Sequence, residues 1–364
     1  MLEYFSVKGF KNFSNTFYLD FSDTRDYSFN KCCITNDLLS KIIIYGKNSV
    51  GKSNFGLALF DIVSHITDNN SKPDLYNYYL CADQETEYAE FHYRFNFDGS
   101  ILNYWYKKDG SRKLIYEKLC LDKKLIFDVT PDNRDFSGLN LITDTLNLDG
   151  KTIDSYLRYI INNTALSDDS PLKKLMKFVS GMLWFRSLDQ NRYIGYQNNS
   201  SNYYEFIYDE ANLKEFQQML YASGVNENIG VKTENDGTKA LYFVKKGQAL
   251  PFFKTASNGT KVLYTFFYWY KTAAKASLIF IDEFDAFYHH ELSETIINII
   301  EKMSDTQVIL TSHNTNLFSN KIMRPDCYFI LTENTLVSAA NATNRELREG
   351  HNLEKLYKSG EFNV

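Results

Sequence analysis

Long hydrophobic runs are missing from this 364-residue sequence. No stretch approaches the roughly 18 apolar residues that a membrane-spanning helix requires, so no membrane partner is expected. Glu3, Lys8 and Lys11 interrupt any secretory-leader pattern at the start. Cysteine is scarce: of five residues, Cys32 and Cys33 are adjacent and the others isolated, with no CxxC pair and no metal-ligand spacing. That usage suits a reducing cytoplasm. A surplus of one charge is also lacking, because 40 basic side chains face 45 acidic ones for a net charge of −5, which argues against a surface coated with nucleic acid. The short basic runs Lys107-Lys108 with Arg112-Lys113, and Lys173-Lys174 with Lys177, read as solvated turns or helix faces. Sustained heptads with charged flanks are absent, which excludes a long coiled-coil arm, and no internal repeat or low-complexity linker divides the chain. What remains, 44% hydrophobic and 16% aromatic residues, is enough for one large α/β core with an embedded subdomain.

Within that core one octapeptide carries the strongest chemical signal. Gly46-Lys47-Asn48-Ser49-Val50-Gly51-Lys52-Ser53 spells GxxxxGKS directly after the apolar run Lys41-Ile42-Ile43-Ile44-Tyr45, the strand-loop-helix setting in which the pattern cradles phosphate. The glycines let successive N–H groups, including those of Asn48 and Ser49, turn toward phosphate oxygens; Lys52 reaches the β and γ phosphates, and Ser53 offers its hydroxyl to Mg²⁺. Asn54 to Ile62 reads as the helix whose positive end faces the same anion. The spacing predicts binding of a nucleoside triphosphate.

A second acidic site strengthens the reading. Ser277-Leu278-Ile279-Phe280-Ile281 is a buried-strand pattern ending in Asp282-Glu283, which puts two carboxylates at the sheet edge where α/β proteins hold ligands. Asp282 can organise a metal, and Glu283 can orient or deprotonate water. Ala256-Ser257-Asn258-Gly259-Thr260 opens a long apolar-aromatic stretch, so Ser257 and Gly259 could present hydroxyl and N–H donors at a helix start. His313 ends another strand, Val308-Ile309-Leu310-Thr311-Ser312. Its imidazole can sense a phosphate or hold the attacking water.

The order of these segments resembles the ABC-type ATPase heads of the structural-maintenance-of-chromosomes and RecF-like class, particularly the compact bacterial AAA15/AAA21-type ATPases of phage-defence loci. Leu2 to Phe13, alternating strand into a Lys-Asn-Phe turn, looks like the family's opening strand. Gly46 to Ser53 matches Walker A, Ser257 to Thr260 a degenerate signature, Asp282-Glu283 the Walker B pair and His313 the switch histidine; Asp285-Ala286-Phe287-Tyr288-His289 looks like the D-loop. Gln84 is the residue placed as the metal-facing Q-loop glutamine, against an exposed loop glutamine. The signature departs from Leu-Ser-Gly-Gly-Gln, so Ser257 and Gly259 carry over better than Thr260.

That resemblance implies a P-loop ATPase using ATP and Mg²⁺, with Lys52, Glu283 and His313 catalytic, in which Ser257 and Gly259 complete the site of a second protomer. Two chains then sandwich two nucleotides. The expected fold has N-terminal antiparallel strands and a central parallel sheet, divided as an ATPase lobe over 1–150, an inserted mainly helical and loop segment over 151–245, and a second lobe over 246–364. Glu90 to Val129 reads as antiparallel strands turning at Asp98-Gly99 and Asp109-Gly110, Ile153 to Leu183 and Glu210 to Ala222 as helical, and Asn191 to Tyr204 as a loop. Too little chain follows His313 for the nuclease domain of overcoming-lysogenization-defect proteins. A separately encoded nuclease or toxin is therefore the expected effector, with a phage component or nucleic acid as trigger. Two alternatives stay open: a RecF-like repair ATPase, and an ATP-stapled scaffold or antitoxin-like binding protein.

Overall fold

The computed structural model describes all residues except 68–72, 84, 145, 147, 149–152, 187–191, 196–202, 273–275, 287–289 and 363–364. Two seven-stranded sheets organise it. The first runs Arg134–Asp135, Lys124–Val129, Leu114–Leu121, Ser100–Lys108, Ala89–Phe97, Leu2–Lys8 and Phe17–Asp20, every neighbour antiparallel. Strict alternation produces it: in Ala89–Phe97 each second residue is buried, so Phe91, Tyr93, Phe95 and Phe97 share one inward face. The turns at Asp98-Gly99 and Asp109-Gly110 fall between these strands, as their sequence predicts.

The second sheet is ordered Arg192–Gly195, Met182–Arg186, Leu278–Asp282, Gln307–Ser312, Lys41–Tyr45, Tyr328–Leu331 and Leu336–Ser338. Its five central strands are parallel, and both edge pairings are antiparallel. All residues of Lys41–Tyr45, Leu278–Asp282 and Gln307–Ser312 are buried, the continuous apolar signature of strands covered on two faces. Their C-terminal ends share one edge, and there the cradle, Asp282-Glu283 and His313 emerge.

The helix Lys52–Leu59 lies between the sheets. Phe55 meets Phe5 and Phe13 on one side, at ring-centroid distances of 5.5 and 6.1 Å. On the other side Gly56 faces Phe280 so closely that a Cβ there would sit 2.8 Å from its ring. The Tyr93 hydroxyl donates to Ala58 O at 3.0 Å, tying the antiparallel sheet to the same helix. A phosphate-binding helix wedged this way has little freedom to shift.

Two local readings change. Helical periodicity over Ile153 to Leu183 resolves into helices Tyr156–Asn163 and Pro171–Ser180. Gly181 then caps the second helix, and Met182–Arg186 becomes a strand beside Leu278–Asp282. Parallel pairing with a buried neighbour outweighs helical spacing in so apolar a run. Within Asn191 to Tyr204, Arg192–Gly195 is an edge strand. Glu210–Ala222 is a helix as expected, and a three-stranded antiparallel sheet, Ile229–Thr233, Lys239–Lys245 and Gln248–Pro251, follows it. Among the described residues the longest helix is Asn258–Thr272, so no long coiled coil is present there, and no helix is long and apolar enough to cross a membrane.

Candidate active site

The cradle forms because two residues adopt positive φ, Ser49 at 70° and Gly51 at 106°. Gly51 is required sterically as well. A Cβ there would lie 2.4 Å from Asn12 Nδ2. Asn12 supports the loop from beneath: its Nδ2 donates to Val50 O at 3.0 Å and its Oδ1 accepts from Asn54 Nδ2 at 2.7 Å. Gly46 abuts Leu331 O, where a Cβ would approach within 2.8 Å. Lys47, Asn48 and Ser49 remain exposed at the rim.

Lys52 is buried and bridges the two halves of the site. Its Nζ donates to Gly46 O at 2.9 Å and Lys47 O at 3.2 Å, and lies 3.2 Å from Glu283 Oε1. The other oxygen of Glu283 stands 2.9 Å from His313 Nδ1. One carboxylate thus sits between the cradle lysine and a histidine whose ring is 56% exposed.

Beside it, Ser53 Oγ donates to Asp282 Oδ2 at 2.5 Å. Burial pushes the Asp282 carboxyl above its usual range, while hydrogen bonds from Ser53 and Thr311 and the charge of Arg186 oppose that rise. Thr311 clamps the whole turn: its hydroxyl donates to Asp282 Oδ1 at 2.8 Å and accepts from Glu283 N at 2.8 Å. The backbone of Glu283 has φ 50°, a left-handed conformation that a non-glycine residue holds only where surroundings impose it. Asp285 accepts from Ser312 Oγ at 2.7 Å, and its carboxyl is likewise raised by burial.

Lys52, Ser53, Asp282, Glu283 and His313 therefore meet at one sheet edge. Ser257 does something different. Its Oγ accepts from Thr260 N at 3.2 Å and lies 2.9 Å from Thr260 Oγ1, capping helix Asn258–Thr272 at the end where Gly259 also sits. Neither Ser257 nor Gly259 bonds to the five residues above in the hydrogen bonds described. Gln84 and the stretch Phe287 to His289 lie outside the described residues. Three contributors escaped the sequence reading: Asn12, Thr311 and Arg186, which pairs in register with Asp282. Thr311 had a signal, a hydroxyl pair with Ser312 ending an apolar strand; Asn12 showed only as the middle of the Lys-Asn-Phe turn, with nothing to tie it to the remote loop it supports.

Ser53 and Asp282 supply hard oxygen donors in contact, the chemistry Mg²⁺ selects, and the glycine-shaped loop with Lys52 supplies a polyphosphate site. Fold and site together define a P-loop domain built to bind a nucleoside triphosphate. The chain belongs to the family described as "AAA domain, putative AbiEii toxin, Type IV TA system", whose model matches residues 41–319. No curated protein matches it. Among solved structures, the SMC head domain from Thermotoga maritima aligns at 15% identity and TM-score 0.45, covering 93% of this chain and 98% of that one. An Smc head bound to the C-winged helix domain of ScpA aligns at 14% identity and TM-score 0.47, over 93% and 97%. The Smc head with an extended coiled coil bound to the C-terminal domain of ScpA from Pyrococcus furiosus aligns at 13% and 0.46, over 98% of both chains.

Proposed function

We propose that this chain hydrolyses ATP with Mg²⁺, closes as a pair of copies around two nucleotides, and uses that cycle to gate a separately encoded nuclease or toxin in cytoplasmic anti-phage defence. The convergence of Lys52, Glu283 and His313 carries the hydrolytic part of this reading. Glu283 takes the proton of an attacking water as its oxygen bonds to the γ phosphorus and the bond to the β-bridging oxygen breaks, leaving ADP and phosphate. His313 orients that carboxylate, and Lys52 neutralises charge on the transferred group. Bound Mg²⁺, held by Ser53 and Asp282, would supply further neutralisation of phosphate charge.

Dimer closure rests on Ser257 and Gly259. They sit at a helix N-terminus and make no described bond to their own chain's cradle, which leaves them available to the γ phosphate of a second copy. ATP would then favour the closed pair by touching both chains, and its hydrolysis removes that preference. The family description, naming a toxin and a toxin–antitoxin system, supports a defence setting. The part of segment 151–245 outside the buried strand Met182–Arg186 is the proposed specificity surface.

The test combines native mass spectrometry, ATP turnover and phage plaque counts on wild-type and Glu283→Gln chains expressed with their neighbouring reading frame. The expected result is turnover in the wild type, an ATP-trapped dimer in the variant, and protection that disappears with the mutation. A wild-type protein that binds ATP without turnover, or a variant that stays monomeric with ATP, overturns the reading.

A further inference from the structure

At the edge of the parallel sheet opposite the cradle, two segments remote in sequence bring sulfur and carboxylate together. Cys32 and Cys33 form the end of a short 3-10 helix, Lys31–Cys33; Glu301 follows helix His290–Ile300. Cys32 Sγ, Cys33 Sγ and a Glu301 carboxylate oxygen all lie within 4.8 Å of one another. Lys41, the first residue of the cradle strand, is fully buried alongside, its Nζ donating to Thr306 O at 2.8 Å.

We propose that Cys32, Cys33 and Glu301 bind a thiophilic divalent cation, zinc in the first instance, with water completing the tetrahedron from the exposed side. A tetrahedral ion bonded to sulfur at about 2.3 Å and oxygen at about 2.1 Å needs donor separations of roughly 3.5–3.8 Å. The cluster is within a small side-chain adjustment of that. Two thiolates and a carboxylate around a divalent ion leave one negative charge, and the Lys41 ammonium balances it in a region where an uncompensated charge is costly. A carboxylate among the thiols selects zinc over softer monovalent metals. Cys32 is exposed while Cys33 is buried, which gives the ion an entry path and a water-poor seat. Zinc takes cysteine as thiolate, so binding releases the protons of both thiols. Because the donors come from a segment before strand Lys41–Tyr45 and one after helix His290–Ile300, the ion would staple the sheet at the end away from the phosphates.

The test uses the full chain, stripped with a chelator under reducing conditions and titrated with Co²⁺ and then Zn²⁺. One tightly held ion with sulfur-to-cobalt charge-transfer absorption is expected, displaced by Zn²⁺, and lost in Cys33→Ser. Cys32→Ser and Glu301→Gln, at more exposed positions, should weaken binding at least tenfold without unfolding the chain. Cobalt at Ser53 and Asp282 lacks the sulfur band, so the two sites are distinguishable. Absence of the band, its persistence in all three variants, or a disulfide forming at Cys32 or Cys33 in place of metal uptake overturns the proposal.

Discussion

The Lys52 ammonium stands 3.2 Å from Glu283 Oε1, with only 4% and 13% of the two side chains exposed. Each holds the other in a site poor in water. Replacing Lys52 by Met strands the carboxylate beside His313 and removes the cation that meets the phosphates. Fluorescent-nucleotide titration should show binding lost in Lys52→Met and retained in Glu283→Gln, whose turnover should fall by about 10² to 10⁴. Equal binding in both variants would remove Lys52 from the cradle.

Thr311 offers a sharper test of the clamp. Valine conserves its shape but cannot donate to Asp282 or accept from Glu283 N, leaving buried polar groups unpaired at a cost of about 1–3 kcal/mol. Thr311→Val should lower both the chemical denaturation midpoint and kcat. A variant as stable and as active as the wild type would show that the strained Glu283 turn does not depend on this hydroxyl.

Ser257 has a cap in its own chain and a proposed role in a second copy, and two substitutions separate them. Ser257→Ala loses the cap and should cost about 0.5–2 kcal/mol of stability. Ser257→Asp keeps a capping acceptor but puts negative charge where a γ phosphate would arrive. Thermal melting near wild type with ATP-dependent dimerisation abolished is the expected outcome for aspartate; undiminished dimerisation would confine Ser257 to capping.

His92 governs part of the acid stability. Burial lowers its pKa to about 4, against 6.5 for the free side chain, and its ring stacks on Trp105 at 4.4 Å. The unfolded chain therefore takes up the proton first as pH falls, so the stability present above pH 6.5 declines progressively toward pH 4. In His92→Phe, which retains an aromatic ring against Trp105, urea midpoints measured across that window should fall less steeply than in the wild type. Parallel curves would refute the assignment.

How far the sequence could be read depended on the range over which each signal acts. The cradle was legible because its glycines, Lys52 and Ser53 are contiguous and their backbone requirements are local. Asp282-Glu283 and His313 were legible as polar ends of apolar strands. Met182–Arg186 was not: its spacing suits a helix, and only a buried neighbour in register makes it a strand. Asn12 beneath the cradle and the approach of Cys32 and Cys33 to Glu301 left no trace in spacing at all.

The amino-acid sequence by itself determined the phosphate loop, the acidic strand end and the alternation that builds the antiparallel sheet, because dihedral preference and side-chain periodicity act between near neighbours. Only the tertiary structure decided that Glu283 lies between Lys52 and His313, that Thr311 holds the turn, and that two distant segments pool thiols and a carboxylate. Those distances follow from sheet order and close packing of the whole core, and no local preference specifies them.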